Sequence, residues 1–156
     1  VFLVVGPGTV AGLVPWWISR WHMQAPLWHI PVLKGVGILL MAAGVPVILD
    51  SFARFALQGL GTPVPIAPTR HLIVTGLYRH VRNPIYIAVV ALILGQGLLL
   101  GDLRLLLYGL VIWLAFHLFV RLYEEPTLSA AHGAEYETFR VNVPRWIPRL
   151  RPWRRR

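Results

Sequence analysis

The chain has 156 residues, of which 56% are hydrophobic and 13% charged, with a mean hydropathy of +0.62. Soluble domains run nearer roughly 45–50% apolar and about 25% charged, so composition excludes an ordinary soluble domain. It points instead to a single-domain, all-α, polytopic membrane helix bundle. The formal charge of +9 could serve nucleic acid. However, the basic residues flank apolar segments and form no DNA- or RNA-reading motif, which leaves anionic headgroups of the bilayer as their partner. The absence of cysteine excludes disulfides, thiolate nucleophiles and Cys-ligated metals, and no metal centre is expected. No basic region precedes the first apolar stretch, so a cleaved signal peptide is not expected.

Residues 1–18 are apolar apart from Thr9, with a possible kink at Gly6-Pro7-Gly8 and an interfacial anchor at Trp16-Trp17. A span needs roughly 20 apolar residues, so this first helix is just long enough. Trp21, His22, Trp28 and His29 read as an interfacial loop, because amphipathic rings favour the headgroup level. A second span covers about residues 31–57. Asp50, Arg54 and Gln58 recur every fourth residue at its far end and share one face, either as a local Asp50–Arg54 pair or as the lining of a headgroup-level cleft. Gly35, Gly37 and Gly44 are expected to let helices pack closely.

Residues 59–75 are rich in proline and glycine, which forbids a helix and predicts an ordered, extended loop over the cytoplasmic face. A third span starts at Pro84, suited to a first helical turn, and runs to about Leu100. After a turn at Gly101-Asp102 the fourth span covers about Leu103 to Tyr123, with Pro126 limiting its continuation. Gly133 to Val143 predicts a short helix that gathers Tyr136, Phe139 and Val143. The tail from Arg145-Trp146 mixes Trp and Arg as an interface-bound segment does. Four spans put Arg54, Arg70, Arg79, Arg82, Arg121 and the C-terminal arginines on one side, against Arg20, Lys34 and Arg104 on the other. The positive-inside rule then makes the arginine-rich side cytoplasmic.

The hairpin of the third and fourth spans returns Glu124-Glu125 to the membrane face where Gly76-Leu77-Tyr78-Arg79-His80-Val81-Arg82-Asn83-Pro84-Ile85-Tyr86 begins. On a regular helix Trp113, His117, Arg121, Glu124 and Glu125 share one side, as residues facing a cavity would. Carboxylates at a helix C-terminus oppose its dipole, so a cation is expected beside the pair. Arg79, Arg82 and Arg121 are candidates, and so is a cationic ligand stacked on Tyr78, Tyr86, Tyr123 or Tyr136.

These motifs, followed by Glu-Glu-Pro and then His-Gly-Ala-Glu-Tyr-Glu-Thr-Phe-Arg-Val-Asn-Val-Pro-Arg-Trp-Ile-Pro, resemble the isoprenylcysteine carboxyl methyltransferases and the related phospholipid methyltransferases over roughly residues 60–148. The resemblance implies an integral membrane enzyme, placed in the inner or plasma membrane of a bacterium. It implies S-adenosylmethionine held at the cytoplasmic face and a lipophilic methyl acceptor: a prenylated-thiol carboxylate, a phospholipid amine or another small apolar molecule. Arg82, Asn83, Pro84 and Tyr86 match the family's Arg-His/Asn-Pro-x-Tyr stretch and Glu124-Glu125 its acidic pair, while Tyr136 and Phe139 match aromatic positions that close over the cofactor. Tyr78 joins this cofactor set, and Glu124, Arg82 and Arg140 are the candidate catalytic groups. Asn83 stands where the isoprenylcysteine enzymes usually carry His, which leans toward the phospholipid enzymes. Ala88 replaces a usual Gly, and Ser129-Ala130-Ala131 stand where bacterial relatives often carry basic residues, so either another arginine such as Arg140 orients an anionic acceptor or the substrate is a different one. Two other classes fit less of the chain: an NADPH-dependent reductase of the sterol-reductase type, and a non-catalytic scaffold in which the charges pair among themselves. The oligomeric state is not legible.

Overall fold

The structure is a computed structural model and describes residues 2–58 and 72–155. Among them every regular element is helical. The order is α1 (Phe2–Gly8), a π turn (Thr9–Leu13), α2 (Val14–Ser19), a 3-10 turn (Leu27–His29), α3 (Val32–Gln58), a 3-10 turn (Gly76–Arg79), α4 (Pro84–Leu100), α5 (Leu103–Phe119), a π turn (Val120–Glu124), α6 (Glu125–His132) and α7 (Ala134–Asn142). The loop expected over residues 59–75 lies outside the described residues as far as 71, and so do Arg70 and the Gln58 side chain. Among the described residues two helical stretches are long and apolar enough to cross a membrane, Val32–Arg54 with mean hydropathy 2.2 and Leu103–His132 with 2.0. Only 17% of each apolar window is buried. A soluble core helix of that composition would be covered, whereas here Leu39, Leu49, Leu110 and Val111 stand open to a solvent that suits them only if it is lipid. Two of the four expected spans reach this length; α4 is apolar but 17 residues long.

The chain forms two compact units, Val1–Ile48 with Tyr86–Ala115, and Leu49–Ile85 with Phe116–Arg156. In the first, the helical run from Phe2 to Ser19 is interrupted at Thr9–Leu13, one turn after the expected Gly-Pro-Gly kink. The cause is Pro15, whose ring would collide with the carbonyl four residues back and which has no N–H to give it. The π turn shifts the register, so that Val14 donates to Thr9 and the carbonyls of Val10 and Ala11 lose their helical partners. Both are recovered from a distance: Tyr108 Oη donates to Val10 O (2.8 Å) and Gln96 Nε2 to Ala11 O (2.6 Å). Gln96 Oε1 accepts in turn from the Trp21 indole at 3.1 Å, so this buried amide is used at both ends.

Helices α3 and α4 meet backbone to backbone. A Cβ on Gly37 would lie 2.5 Å from the Gly95 carbonyl oxygen, and one on Gly44 would press on Leu92. Gly35, also expected at such a contact, has nothing within 4 Å, because it sits on another side of α3. The α4–α5 turn is as expected. Gly101 takes φ 71° where a side chain would strike the Ala25 carbonyl, and Asp102 caps α5 through the Arg104 N–H at 3.0 Å.

In the second unit the local Asp50–Arg54 pair forms, with nitrogen–oxygen distances of 2.7 and 3.0 Å, and Arg54 also reaches Thr75 Oγ1 at 3.2 Å. Helix does not stop at Pro126, contrary to the sequence expectation. The π turn at Val120–Glu124 moves the clashing carbonyl aside, Pro126 occupies the first turn of α6, and the run continues to His132. The inserted register takes Arg121 off the expected polar stripe to an exposed position, while His117, Glu124 and Glu125 are half-buried; Trp113, in α5 before the π turn, is also exposed. Helix α7 forms as expected, and Tyr136, Phe139 and Val143 make a core with Leu72, Val74, Leu128 and Trp153.

Candidate active site

The segment 79–83 is held by the C-terminal tail, which runs back along it. Arg82 N–H donates to Pro144 O (2.9 Å), Asn83 Nδ2 to Arg145 O (3.2 Å), Arg149 N–H to His80 O (2.9 Å) and Trp153 N–H to Arg79 O (2.9 Å). Arg79 Nε returns a bond to Trp153 O at 2.8 Å. Proline after Asn83 keeps this stretch out of a helix and leaves its backbone groups for the tail to satisfy. That clasp sets Arg82 and Arg145 side by side over α6.

Between them lies Glu125. Arg82 Nη1 donates to Oε1 at 2.7 Å, while Arg145 forks onto both oxygens, Nε at 2.7 Å and Nη2 at 2.9 Å. The Arg82 and Glu125 side chains are only 9% and 12% exposed, so water does little of the compensation. Arg82 Nη1 also reaches Tyr136 Oη at 3.3 Å. Burial raises the Tyr136 phenol above its ordinary pKa, so it stays neutral beside these charges. The Tyr78 phenol is likewise raised by burial, and Glu124 carries its charge close enough to act on both rings. Among the described residues Arg82 Nε is buried with no hydrogen-bond partner, a donor left over once Nη1 has met Glu125 and Tyr136.

Of the expected residues, Arg82, Asn83, Glu124, Glu125, Tyr136 and the Phe139 beneath it all belong to this unit, and the first five lie about the Glu125 carboxylate or its neighbour. Pro84 is buried beside them in sequence. Tyr78 packs on the Asp50–Arg54 side, whose charges act on its phenol. Arg140 is exposed and forks onto Glu137 at 2.7 and 3.0 Å. Tyr86 belongs to the first unit, where its ring is half-buried. The cation expected beside the acidic pair is present as Arg82, whereas Arg79 serves the clasp and Arg121 faces outward. Sequence reading missed Arg145, which it left in an interfacial tail. The available signal was its place in Val-Pro-Arg-Trp-Ile-Pro, directly after a proline that ends α7. Trp146, beside it, donates its indole N–H to His117 Nδ1 at 3.0 Å, which satisfies a histidine otherwise surrounded by apolar positions.

A model of the phospholipid methyltransferase family matches residues 33–135, two-thirds of the chain, including Arg82, Asn83, Glu124 and Glu125. The chain belongs to the phospholipid methyltransferase family. It is also 40% identical over 80 residues to the protein-S-isoprenylcysteine O-methyltransferase of Schizosaccharomyces pombe, a match covering 50% of this chain and 34% of that protein. The chain thus spans about a third of the length of that curated relative. No solved structure matches it. Family membership and the two exposed apolar helices among the described residues together point to an integral membrane protein. For a phospholipid methyltransferase the donor set is apt: guanidiniums for a carboxylate, a carboxylate for an ammonium or hydroxyls, and rings for a heterocycle.

Proposed function

We propose that this protein transfers a methyl group from S-adenosylmethionine to a lipophilic acceptor at the cytoplasmic face of the membrane. In this reading four helices span the bilayer and both units serve one catalytic domain. The observation that carries the reading is Arg82, buried between Glu125 and Tyr136 with its Nε unmatched, inside the segment that the family model covers. S-adenosylmethionine, when bound, supplies an electrophilic methyl on a sulfonium. The chain's part is to bind and orient.

Arg82 and Arg145 receive the cofactor's carboxylate, and the free Arg82 Nε donor is satisfied by it. Glu125 is already committed to both guanidiniums, so it positions them rather than holding the ligand's ammonium. Glu124, whose charge acts on the Tyr78 and Tyr136 phenols, takes that role or binds ribose hydroxyls. Tyr136 and Phe139 present their rings to the adenine or sulfonium. Tyr86 and Pro84 enter on the motif alone, and Arg140 is assigned to an anionic acceptor. Fixing acceptor and methyl in line is worth up to about 7–11 kcal/mol.

The acceptor decides whether a base is needed. A prenylated-thiol carboxylate, suggested by the yeast relative's name, needs none; a phospholipid amine, suggested by the family's, must lose a proton. Of the nearby histidines, His117 accepts the Trp146 indole N–H on Nδ1, so its neutral ring carries the proton on Nε2 and has no lone pair left to take one. His80 is the reverse: Nδ1 lies 2.7 Å from the Arg149 carbonyl oxygen, which only accepts, so its neutral ring keeps a lone pair on Nε2. His80 is therefore the base for an amine. The scaffold reading leaves the buried Arg82 Nε without a purpose, and the family match does not favour the NADPH-reductase reading.

The test is thermal unfolding of the detergent-solubilised chain with S-adenosylhomocysteine or NADPH, followed by labelled-methyl transfer to a farnesylated thiol and to phosphatidylethanolamine. Stabilisation by the homocysteine alone and label in one acceptor is expected. Stabilisation by NADPH, or by neither ligand, sinks the proposal.

A further inference from the structure

Beyond the Glu125 cluster, the second unit holds a cavity of about 890 Å³ between α7 and the tail. Arg149, Arg151, Arg154 and Arg155 line it, with Asn142 and Trp153. It shares no side chain with the Glu125 cluster, although Arg149 and Trp153, which line it, also clasp segment 79–83 through their backbones. We propose that this cavity is a phosphate-binding site, occupied by a phosphate-bearing anion.

The argument is electrostatic. A run of arginines free in solution repels itself and spreads out. Here the tail is instead pinned by backbone bonds from Arg149 to His80 and from Trp153 to Arg79, and by Phe139 packing on Trp153 with ring centroids 6.0 Å apart. Pinning gathers four guanidiniums around one hollow. Among the described residues only Arg155 finds a carboxylate, that of Glu135, while Arg149 spends one nitrogen on the Asn142 carbonyl at 2.6 Å. Arg151 and Arg154 have no side-chain partner among the described residues. Lining one hollow with only Arg155 neutralised, these charges call for a counter-anion, and several planar guanidiniums suit the several oxygens of a phosphate better than a single carboxylate. The volume admits a whole headgroup. The indole of Trp153 beside the arginines is the pairing found at the headgroup level of a bilayer.

The site has two sources of ligand, a lipid headgroup and free phosphate, and the experiment separates them. The detergent-solubilised full chain is titrated with dihexanoyl phosphatidylglycerol, dihexanoyl phosphatidylcholine and inorganic phosphate, following the unfolding midpoint. Saturable stabilisation by phosphatidylglycerol, beyond that of phosphatidylcholine and absent with inorganic phosphate, assigns the headgroup; equal stabilisation by inorganic phosphate assigns the free ion. With either ligand, Arg151→Gln with Arg154→Gln should weaken apparent affinity by about fivefold per arginine, about 25-fold together. The Lys pair at the same positions, which keeps the charge, should lose less. Both positions are exposed, so the unliganded midpoint and circular dichroism spectrum should match the parent's. Each single Gln variant repeats the measurement if the double one unfolds. Stabilisation by neither probe, or stabilisation that survives loss of both arginines, overturns the site.

Discussion

Arg82 does two jobs with one guanidinium: it neutralises Glu125 through Nη1 and keeps Nε in reserve. Removing one member of a nearly buried ion pair strands the other, at a cost of about 3–5 kcal/mol. Arg82→Ala should therefore lower thermal stability in detergent by that order and abolish S-adenosylhomocysteine stabilisation, both read in one unfolding experiment. Glu125→Gln is the gentler probe, since it keeps the volume and loses the charge that aligns Arg82 and Arg145. Charge-assisted bonds of this kind are worth about 1.5–3 kcal/mol, so ligand affinity by titration calorimetry should fall at least about tenfold. Glu135→Gln, on the exposed Arg155 pair, should leave it within about twofold. Equal effects at the two glutamates would remove the Glu125 cluster from the cofactor site. The motif made Arg82, Asn83 and the acidic pair readable one by one. Arg145 was not, because its partner lies 20 residues back and its place after Pro144 marks a turn without naming that partner.

At the scale of elements, two helical runs share one device: a π turn, one further residue, then proline, at Thr9–Leu13 before Pro15 and at Val120–Glu124 before Pro126. Apolar periodicity sees a helix in both places but not the extra residue in the turn. That residue rotates the remainder of the helix by about 100°, and so a stripe drawn through Trp113 and Arg121 to Glu125 does not survive. Helix α3 offers a paired test of packing. Gly37→Ala places a methyl against the Gly95 backbone and should cost about 1–3 kcal/mol of stability. Gly35→Ala, two residues away in open space, should be neutral or stabilise by up to about 1 kcal/mol. Similar melting shifts for the two would contradict the α3–α4 contact. Helix α7 carries a pH signature. The Arg140 bond, then the Ser129 bond, holds Glu137 below the ordinary glutamate pKa. Its contribution is present above the unfolded pKa and fades as pH falls through the lower folded value. Glu137→Gln should therefore narrow its gap to the parent as acid is added, in melting curves taken from neutral pH downward.

For the whole molecule, the absence of cysteine makes the proposed four-span topology directly testable. A single cysteine at Gln24 and another at Arg151 should react with an impermeant maleimide from opposite sides of the membrane, Gln24 in intact cells and Arg151 only after lysis. Labelling of both from outside would refute the cytoplasmic assignment of the tail.

Composition, apolar runs and turn residues are properties of adjacent positions, and from them alone the chain is a helical membrane protein with a Gly101-Asp102 hairpin. The order of its motifs carries the family. What only the tertiary structure decided is where distant polar groups settle: Arg145 on Glu125, Trp146 on His117, and the tail clasped along 79–83. The reason is physical. Hydrophobic patterning is set by neighbours and leaves a trace at every turn, whereas a buried charge or a freed carbonyl takes whichever partner the finished packing brings within about 3 Å.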